Sequence, residues 1–431
     1  MTYDKAKVDC PNRIECVFIA IILQSHGYVL TIHIDDKLFG IQRRIKGTIV
    51  CKAILSRNRG EILENSITNR QMVFIIFLTL SSYTTIDLPK IMARIAGRSS
   101  WIPIISVAVI FGGAAVIITK LNNMHQGKVL FDYSREITGK FFSRLIAWYY
   151  LLFFLIVGVY LKLKLVGVLK SNFLPRTPQF IMLLMGISLF GYVAYKGVTN
   201  VARMFEIIGI LFLIVTVGIC FFMLLQGMSY NILPFFNITE TKGFMTAVKD
   251  LATPFTGLAV LFIIPFTPKN KKAPKVAFLT LLFIGLFYIL IVEGTIMILG
   301  INNTIAFNDS FIEAIKIVEL PVIERTDIFY LTFGLTSLFA GMIIVFTAIV
   351  EFTCRLIPKV KRNIIVIVIG IIFLILCLLA LNINNMKEVF ESFAPYLVLT
   401  SSILIPTLLF IIAKIKKPAI RQRAGGHYSQ V

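Results

Sequence analysis

The sequence predicts an all-α polytopic membrane protein. It has about ten transmembrane helices in a five-plus-five inverted repeat, with helices 1 and 6 broken. Three observations carry this reading. Of the 431 residues, 57% are hydrophobic and only 15% charged, and apolar runs longer than the ~18 residues that signal a spanning helix recur along the chain. The first run, Asn69 to Ala96, is interrupted by Ser81, Ser82, Tyr83, Thr84 and Thr85, then by Asp87 and Pro89. The sixth run is interrupted by Thr253, Pro254, Thr256 and Gly257. Peptide groups in lipid must be satisfied within the protein, so irregular backbone at that depth has to be sheltered by protein or line a watery cavity. Interrupted spans at corresponding positions of two halves point to an inverted repeat with its ligand site near the bilayer midplane.

Taken in order, residues 1–65 come first and fit no span. Val17 to Leu23 and Tyr28 to Ile34 are apolar but interrupted by Gln24, Ser25, His26 and His33, and a basic stretch follows up to Arg59. They read as a poorly ordered cytoplasmic extension, against the alternative of a membrane-surface hairpin. Spanning segments are expected near 70–96, 102–119, 144–166, 180–195, 204–226, 245–267, 276–300, 327–350, 363–382 and 393–413. Together they make a transmembrane domain over 66–415, and a basic tail occupies 416–431.

Loop charge sets the orientation. Lys and Arg concentrate in alternate loops: Lys120 to Lys140, Lys196 with Arg203, Lys269 to Lys275, Arg355 to Arg362, and the tail. The 301–327 loop is acidic. Both termini are therefore expected in the cytoplasm. Lys162, Lys164, Lys170 and Arg176 dissent, and the first two are read as snorkelling from a helix end.

The net charge of +21 is accounted for by this sidedness rather than by nucleic-acid binding. Cys10, Cys16, Cys51, Cys220, Cys354 and Cys377 form no CxxC pair and read as reduced or buried thiols. With no nucleophile–base pair, phosphate loop or metal spacing in view, neither an enzyme nor a cofactor or metal is expected.

The candidate ligand residues fall at the two breaks. Ser81 to Thr85 supply hydroxyls and freed backbone groups for a small zwitterion, with the following half-helix N-terminus facing its carboxylate. The competing reading is helix packing, in which Ser and Thr are common. Asp87 is either the N-cap of that half-helix or the partner of a ligand ammonium or cation. Thr253, Thr256 and Gly257 form the matching half. Glu293, inside segment seven, is a possible intramembrane charge. Glu206 after Arg203, and Glu351 before Arg355, are spaced for structural pairing on helices.

Several of these residues resemble a known family. The run ITNRQMVFIIF (67–77), Leu88-Pro89, Ala96-Gly97 and Trp101-Ile102 are similar to the opening of the B-subunit family of GerA-type spore germinant receptors. Phe262 to Phe266 before a Lys-rich loop resembles the end of that family's sixth helix, and Glu324-Arg325-Thr326-Asp327 resembles its element before segment eight. The resemblance covers roughly 66–415. It implies an amino acid permease (LeuT-like) fold of the amino acid–polyamine–organocation superfamily. It also implies a membrane subunit that senses a small nutrient such as an amino acid at the inner membrane of a dormant spore, alongside A and C subunits. Many members have a small Gly-containing break where this chain has Ser81 to Thr85 and Asp87, and some carry an acidic residue at the position of Ala259. The rival reading is a secondary amino acid transporter coupled to a proton or sodium ion.

Overall fold

The computed structural model describes residues 67–84, 87–233, 248–267, 270–307, 309–319, 326–383 and 386–425. The expectation for residues 1–65 lies outside them.

Segment one begins with a reciprocal cap. The Gln71 backbone N–H donates to Thr68 Oγ1 at 3.2 Å, and the Thr68 N–H donates to Gln71 Oε1 at 3.0 Å. This satisfies two donors that a helix start otherwise leaves open. Helix α1 then runs Asn69–Thr84 and α2 runs Leu88–Ala96, so the first span is two half-helices. Pro89 sits in the first turn of α2, where its missing N–H costs nothing. Gly97 ends α2 with φ 55°, a conformation that favours glycine.

The chain continues through α3 (Trp101–Met124), a short α4 (Leu130–Thr138), α5 (Lys140–Asn172), α6 (Gln179–Lys196) and α7 (Val198–Gln226). Segment six is a 3₁₀ helix, Thr253–Ile263. Helices α8 (Ala273–Ala306), α9 (Ser310–Ile317), α10 (Thr326–Leu356), α11 (Arg362–Leu381), α12 (Met386–Leu399) and α13 (Ile405–Gly425) complete the chain, a π turn at Thr400–Leu404 joining the last two. Among the described residues, eight helices are long and apolar enough to cross a bilayer. With the broken segments one and six they make the ten expected spans. Helix α4 was not expected; its buried Leu130, Tyr133 and Ile137 recur at helical spacing and pack it on α5 and α13.

The packing shows the repeat. Segment one packs on segment six, α3 on α8, α5 on α10 and α6 on α11, so members of one half meet their counterparts five segments later. Helices α5 and α10 form the centre, with 67% and 72% of their apolar windows buried, against 28% for α11. The outward faces of α6, α7 and α11 carry Met185, Leu189, Ile207, Ile214, Ile367 and Ile371, all exposed, as a lipid-facing surface requires.

The charged loops gather on one face. Arg355 holds Asp132 at 2.5 Å and Glu351 at 3.3 Å; Arg362 reaches Glu351 at 3.1 Å and the Ala194 carbonyl at 2.9 Å. Arg70 reaches Glu206 at 2.7 Å. The 3₁₀ segment Gly97–Ser99, the turn Ser229–Ile232 and α9 lie at the opposite ends of the spans and pack on α8.

The α3–α8 contact is close because small residues form it: a Cβ added at Gly285 would lie 2.7 Å from the Ala108 Cβ. Gly285→Leu is expected to destabilise the bundle by about 1–3 kcal/mol through overpacking. Gly113→Leu, where a Cβ meets nothing within 4 Å, should be tolerated. Thermal unfolding of the two variants in lipid nanodiscs checks the difference.

Candidate functional site

Helix α1 packs on segment six, with Thr79 against Gly257. Ser81 and Ser82 are buried at 0% and 1% exposure, Thr253 and Thr256 at 5% and 2%. Ser82 and Thr256 turn back on their own helices, as does neighbouring Thr79: Ser82 Oγ donates to the Thr79 carbonyl at 2.7 Å, Thr79 Oγ1 to the Ile75 carbonyl at 2.6 Å, and Thr256 Oγ1 to the Thr253 carbonyl. A Cβ at Gly257 would lie 2.4 Å from Thr79 Cγ2, and one at Gly341 of α10 would lie 2.4 Å from Ser82 Cβ. Segment one has no room for one added methyl against either segment six or α10 at these points. The side chains of Tyr83 and Thr84, and Thr85 altogether, lie outside the described residues.

The break of segment one faces α5 as well. Asp87 stands at the N-cap position of α2, yet its side chain makes no cap hydrogen bond. It pairs instead with Lys164, Oδ2 to Nζ 2.5 Å, with side-chain exposures of 8% and 10%. Breaking a pair this dehydrated by removing one member is costly. The pair lines a crevice of about 390 Å³ together with Tyr160, Leu163, Gly167, Val168, Ser171 and Asp309. Exposed Gly167 and Ser171 open it to the surface. Asp309 stands at the N-cap position of α9, also without a side-chain cap bond.

Lys162 corrects an expectation. Helix α5 continues to Asn172, so Lys162 is not at a helix end and does not snorkel. It is 1% exposed, its Nζ donates to the Met182 carbonyl of α6 at 3.1 Å and it lies 5.0 Å from the centroid of the Phe190 ring. Gly186 makes the space: a Cβ there would sit 1.9 Å from Lys162 Nζ.

Glu293 of α8 is 6% exposed. Its Oε1 accepts from Ser100 Oγ at 2.7 Å, while Oε2 has no hydrogen-bond partner among the described residues.

Sequence reasoning placed Asp87 at the site but missed Lys164 and Asp309. Lysines at 162 and 164 within the apolar run of α5 were the available signal, since ionisable residues inside a span are costly unless employed.

A family model described as "Spore germination protein" matches residues 66–386, well over half of the chain. The chain belongs to the spore germination protein family. This is the family that the sequence motifs resembled. Among its curated relatives in Bacillus subtilis (strain 168), "Spore germination protein YndE" is 24% identical over 293 residues, covering 66% of this chain and 79% of that one. "Spore germination protein B2" is 25% identical, covering 62% and 73%. "Putative spore germination protein YfkT" is 23% identical, covering 76% and 90%.

The fold is shared with solved transporters. Mhp1, a nucleobase-cation-symport-1 family transporter in a closed conformation with bromovinylhydantoin bound, superposes with TM-score 0.58 at 13% identity, covering 80% of this chain and 77% of that one. A Na⁺-coupled sialic acid symporter in a substrate-bound outward-open state gives TM-score 0.53 at 13% identity, covering 77% of each chain. This spore germination protein therefore has the amino acid permease, LeuT-like architecture. Its family motifs sit where the architecture is built: the cap of α1, the proline start of α2, the Gly97 stop, and the end of segment six.

A double-mutant cycle tests the buried pair. Asp87→Leu alone and Lys164→Met alone should each cost about 3–5 kcal/mol, whereas the double variant Asp87→Leu with Lys164→Met should cost clearly less than their sum. Thermal or denaturant unfolding in nanodiscs measures the coupling, and strictly additive costs would refute a dependent pair.

Proposed function

We propose that this chain is the nutrient-binding membrane subunit of a spore germinant receptor. It binds a small amino acid or similar nutrient between broken segments one and six. It does so at the spore inner membrane, with both termini in the cytoplasm, and acts with A and C subunits. The observation that carries this reading is the meeting of two interrupted spans at the centre of a permease fold, in a protein of the spore germination family. Segment one is closed against segment six at Thr79–Gly257 and against α10 at Ser82–Gly341, so a ligand between segments one and six has to part them. Its binding energy is then spent on a conformational shift, limited to its differential affinity for the closed and parted states. Partner subunits read that shift.

A second reading, a working amino acid transporter coupled to a proton or sodium ion, is favoured by the transporters that share the fold. Amino acid uptake into vesicles containing this chain alone supports it. Lost germination in a deletion strain with uptake intact supports the receptor.

Thr256→Val keeps side-chain shape and removes the hydroxyl, whereas Thr256→Leu adds bulk in a site with none to spare. Spores with either variant, at normal protein level by blot, are expected to need about tenfold more nutrient for half-maximal germination, ~1.4 kcal/mol of binding. An unchanged response places the ligand elsewhere.

A further inference from the structure

We propose that the groove between α6 and α11 is a binding site for an anionic phospholipid of the leaflet on the basic face. One acyl chain lies in the groove, and Lys196 with Lys361 holds the phosphate-bearing headgroup at its polar end.

Length and width are the first argument. The groove encloses about 450 Å³ and is lined from Leu184 to Tyr195 on α6 and from Leu374 to Asn363 on α11. At ~1.5 Å per residue that is about 16 Å of each helix, half of a hydrocarbon core of about 30 Å. The groove therefore has the depth of one leaflet. Spread over that length, the volume has a mean section of roughly 28 Å², about 6 Å across. A hydrocarbon chain fits this width. A partner's helix, ~10–12 Å across with its side chains, would ride on the rim.

The floor explains the shape. Ile187 and Gly191 are buried, whereas Leu184, Tyr192, Ile367 and Ile371 are exposed along the walls. A Cβ added at Gly191 would lie 3.4 Å from Val366 Cγ1, and one at Gly370 would lie 3.5 Å from Ile187 Cγ2. The helices thus meet across the floor at ordinary van der Waals distance, and the missing side chains leave the depression above it.

Charge selects the headgroup. Lys196 Nζ lies 5.4 Å from the centroid of the Tyr192 ring, which lines the groove, so an ammonium stands at its polar end. Arg362 donates to the Ala194 carbonyl at 2.9 Å, which ties the start of α11 to the end of α6 and brings exposed Lys361 to the same place. No Asp or Glu occurs in α6 or α11, and Glu351 is held by Arg355 and Arg362. Tyr195 and Asn363, both exposed lining residues, add hydrogen-bond donors at interface depth. Basic side chains at the membrane surface attract anionic lipids, and the cation of a zwitterionic headgroup would meet the two lysines unfavourably.

The test uses the full chain in neutral detergent micelles, with thermal unfolding as the readout. The probes are phosphatidylglycerol, phosphatidylcholine, and glycerol phosphate, which carries the anionic group without chains. Phosphatidylglycerol should raise the unfolding temperature at about tenfold lower concentration than phosphatidylcholine, and glycerol phosphate should leave it unchanged. Lys196→Gln with Lys361→Gln should abolish the preference between the two lipids. Gly370→Leu fills the groove from its floor. Ser188→Phe fills it from an exposed position whose hydroxyl bonds only its own helix, to the Leu184 carbonyl at 2.9 Å. Either filling variant should keep the lipid-free unfolding temperature and lose the phosphatidylglycerol response.

A phosphatidylglycerol response that survives Ser188→Phe overturns the groove and assigns the anion to the other basic loops. Equal responses to both lipids, or a response to neither, overturn the headgroup assignment. A chain that runs as a dimer without responding to lipid, and as a monomer once Ser188→Phe is made, gives the groove to a second copy instead.

Discussion

A peptide group at bilayer depth has to find its hydrogen-bond partner within the protein. The rest of this structure is arranged around the places where a helix fails to supply one. Where α8 kinks at Gly300, the Met297 carbonyl is taken by the Met228 N–H at 3.0 Å and by Asn231 Nδ2 at 2.9 Å. In the 3₁₀ segment six, the Leu261 carbonyl is taken by Asn122 Nδ2 at 2.9 Å, and Tyr133 holds the Asn122 oxygen at 2.9 Å. At the π turn of segment ten, followed by Pro406, the Ser401 carbonyl accepts from Tyr150 at 2.6 Å. Each irregularity is thus a joint between segments, because the donor that rescues it comes from another part of the chain.

The same joints make the two faces unequal. On the basic face, Asn270 binds the Ile67 carbonyl at 3.1 Å and Asn69 Oδ1 at 2.9 Å, Asn123 binds the Asn270 carbonyl at 3.2 Å, and the Gly127 N–H binds the Phe266 carbonyl at 2.7 Å. The start of segment one is thereby fastened to the end of segment six. Towards the other face the first span divides at its break, and there the connection is electrostatic, through Asp87 and Lys164.

The buried cations need separate accounts. Lys164 is compensated by a carboxylate, whereas Lys162, two residues earlier and turned towards α6, has a carbonyl and an aromatic face. A carbonyl and a ring together offset less of an ammonium's desolvation than a carboxylate does. The space for it exists only because residue 186 is glycine. The lysines that looked alike on the chain therefore serve different contacts, one at the break and one in the packing of α5 on α6.

What the sequence determined by itself was everything that depends on local composition. The ten spans follow from apolar length, the gathering of basic loops on one face from their alternation along the chain, and the breaks at Asp87-Leu88-Pro89 and Thr253-Pro254 from residues that a continuous lipid-exposed helix cannot use. Even family membership was legible, because Thr68, Gln71, Pro89 and Gly97 are helix starts and stops that act within a few residues. Tertiary structure alone decided how the segments meet. Asp87 and Lys164 are 77 residues apart and Asn122 and Leu261 are 139 apart, and no local pattern specifies such a pairing. Whether a hydroxyl such as that of Ser82 or Thr256 faces a ligand or its own helix was likewise undecided on the chain. Both outcomes need the same residue type, and the approach of the neighbouring helix, set by Gly257 and Gly341, determines which one is realised in the closed state.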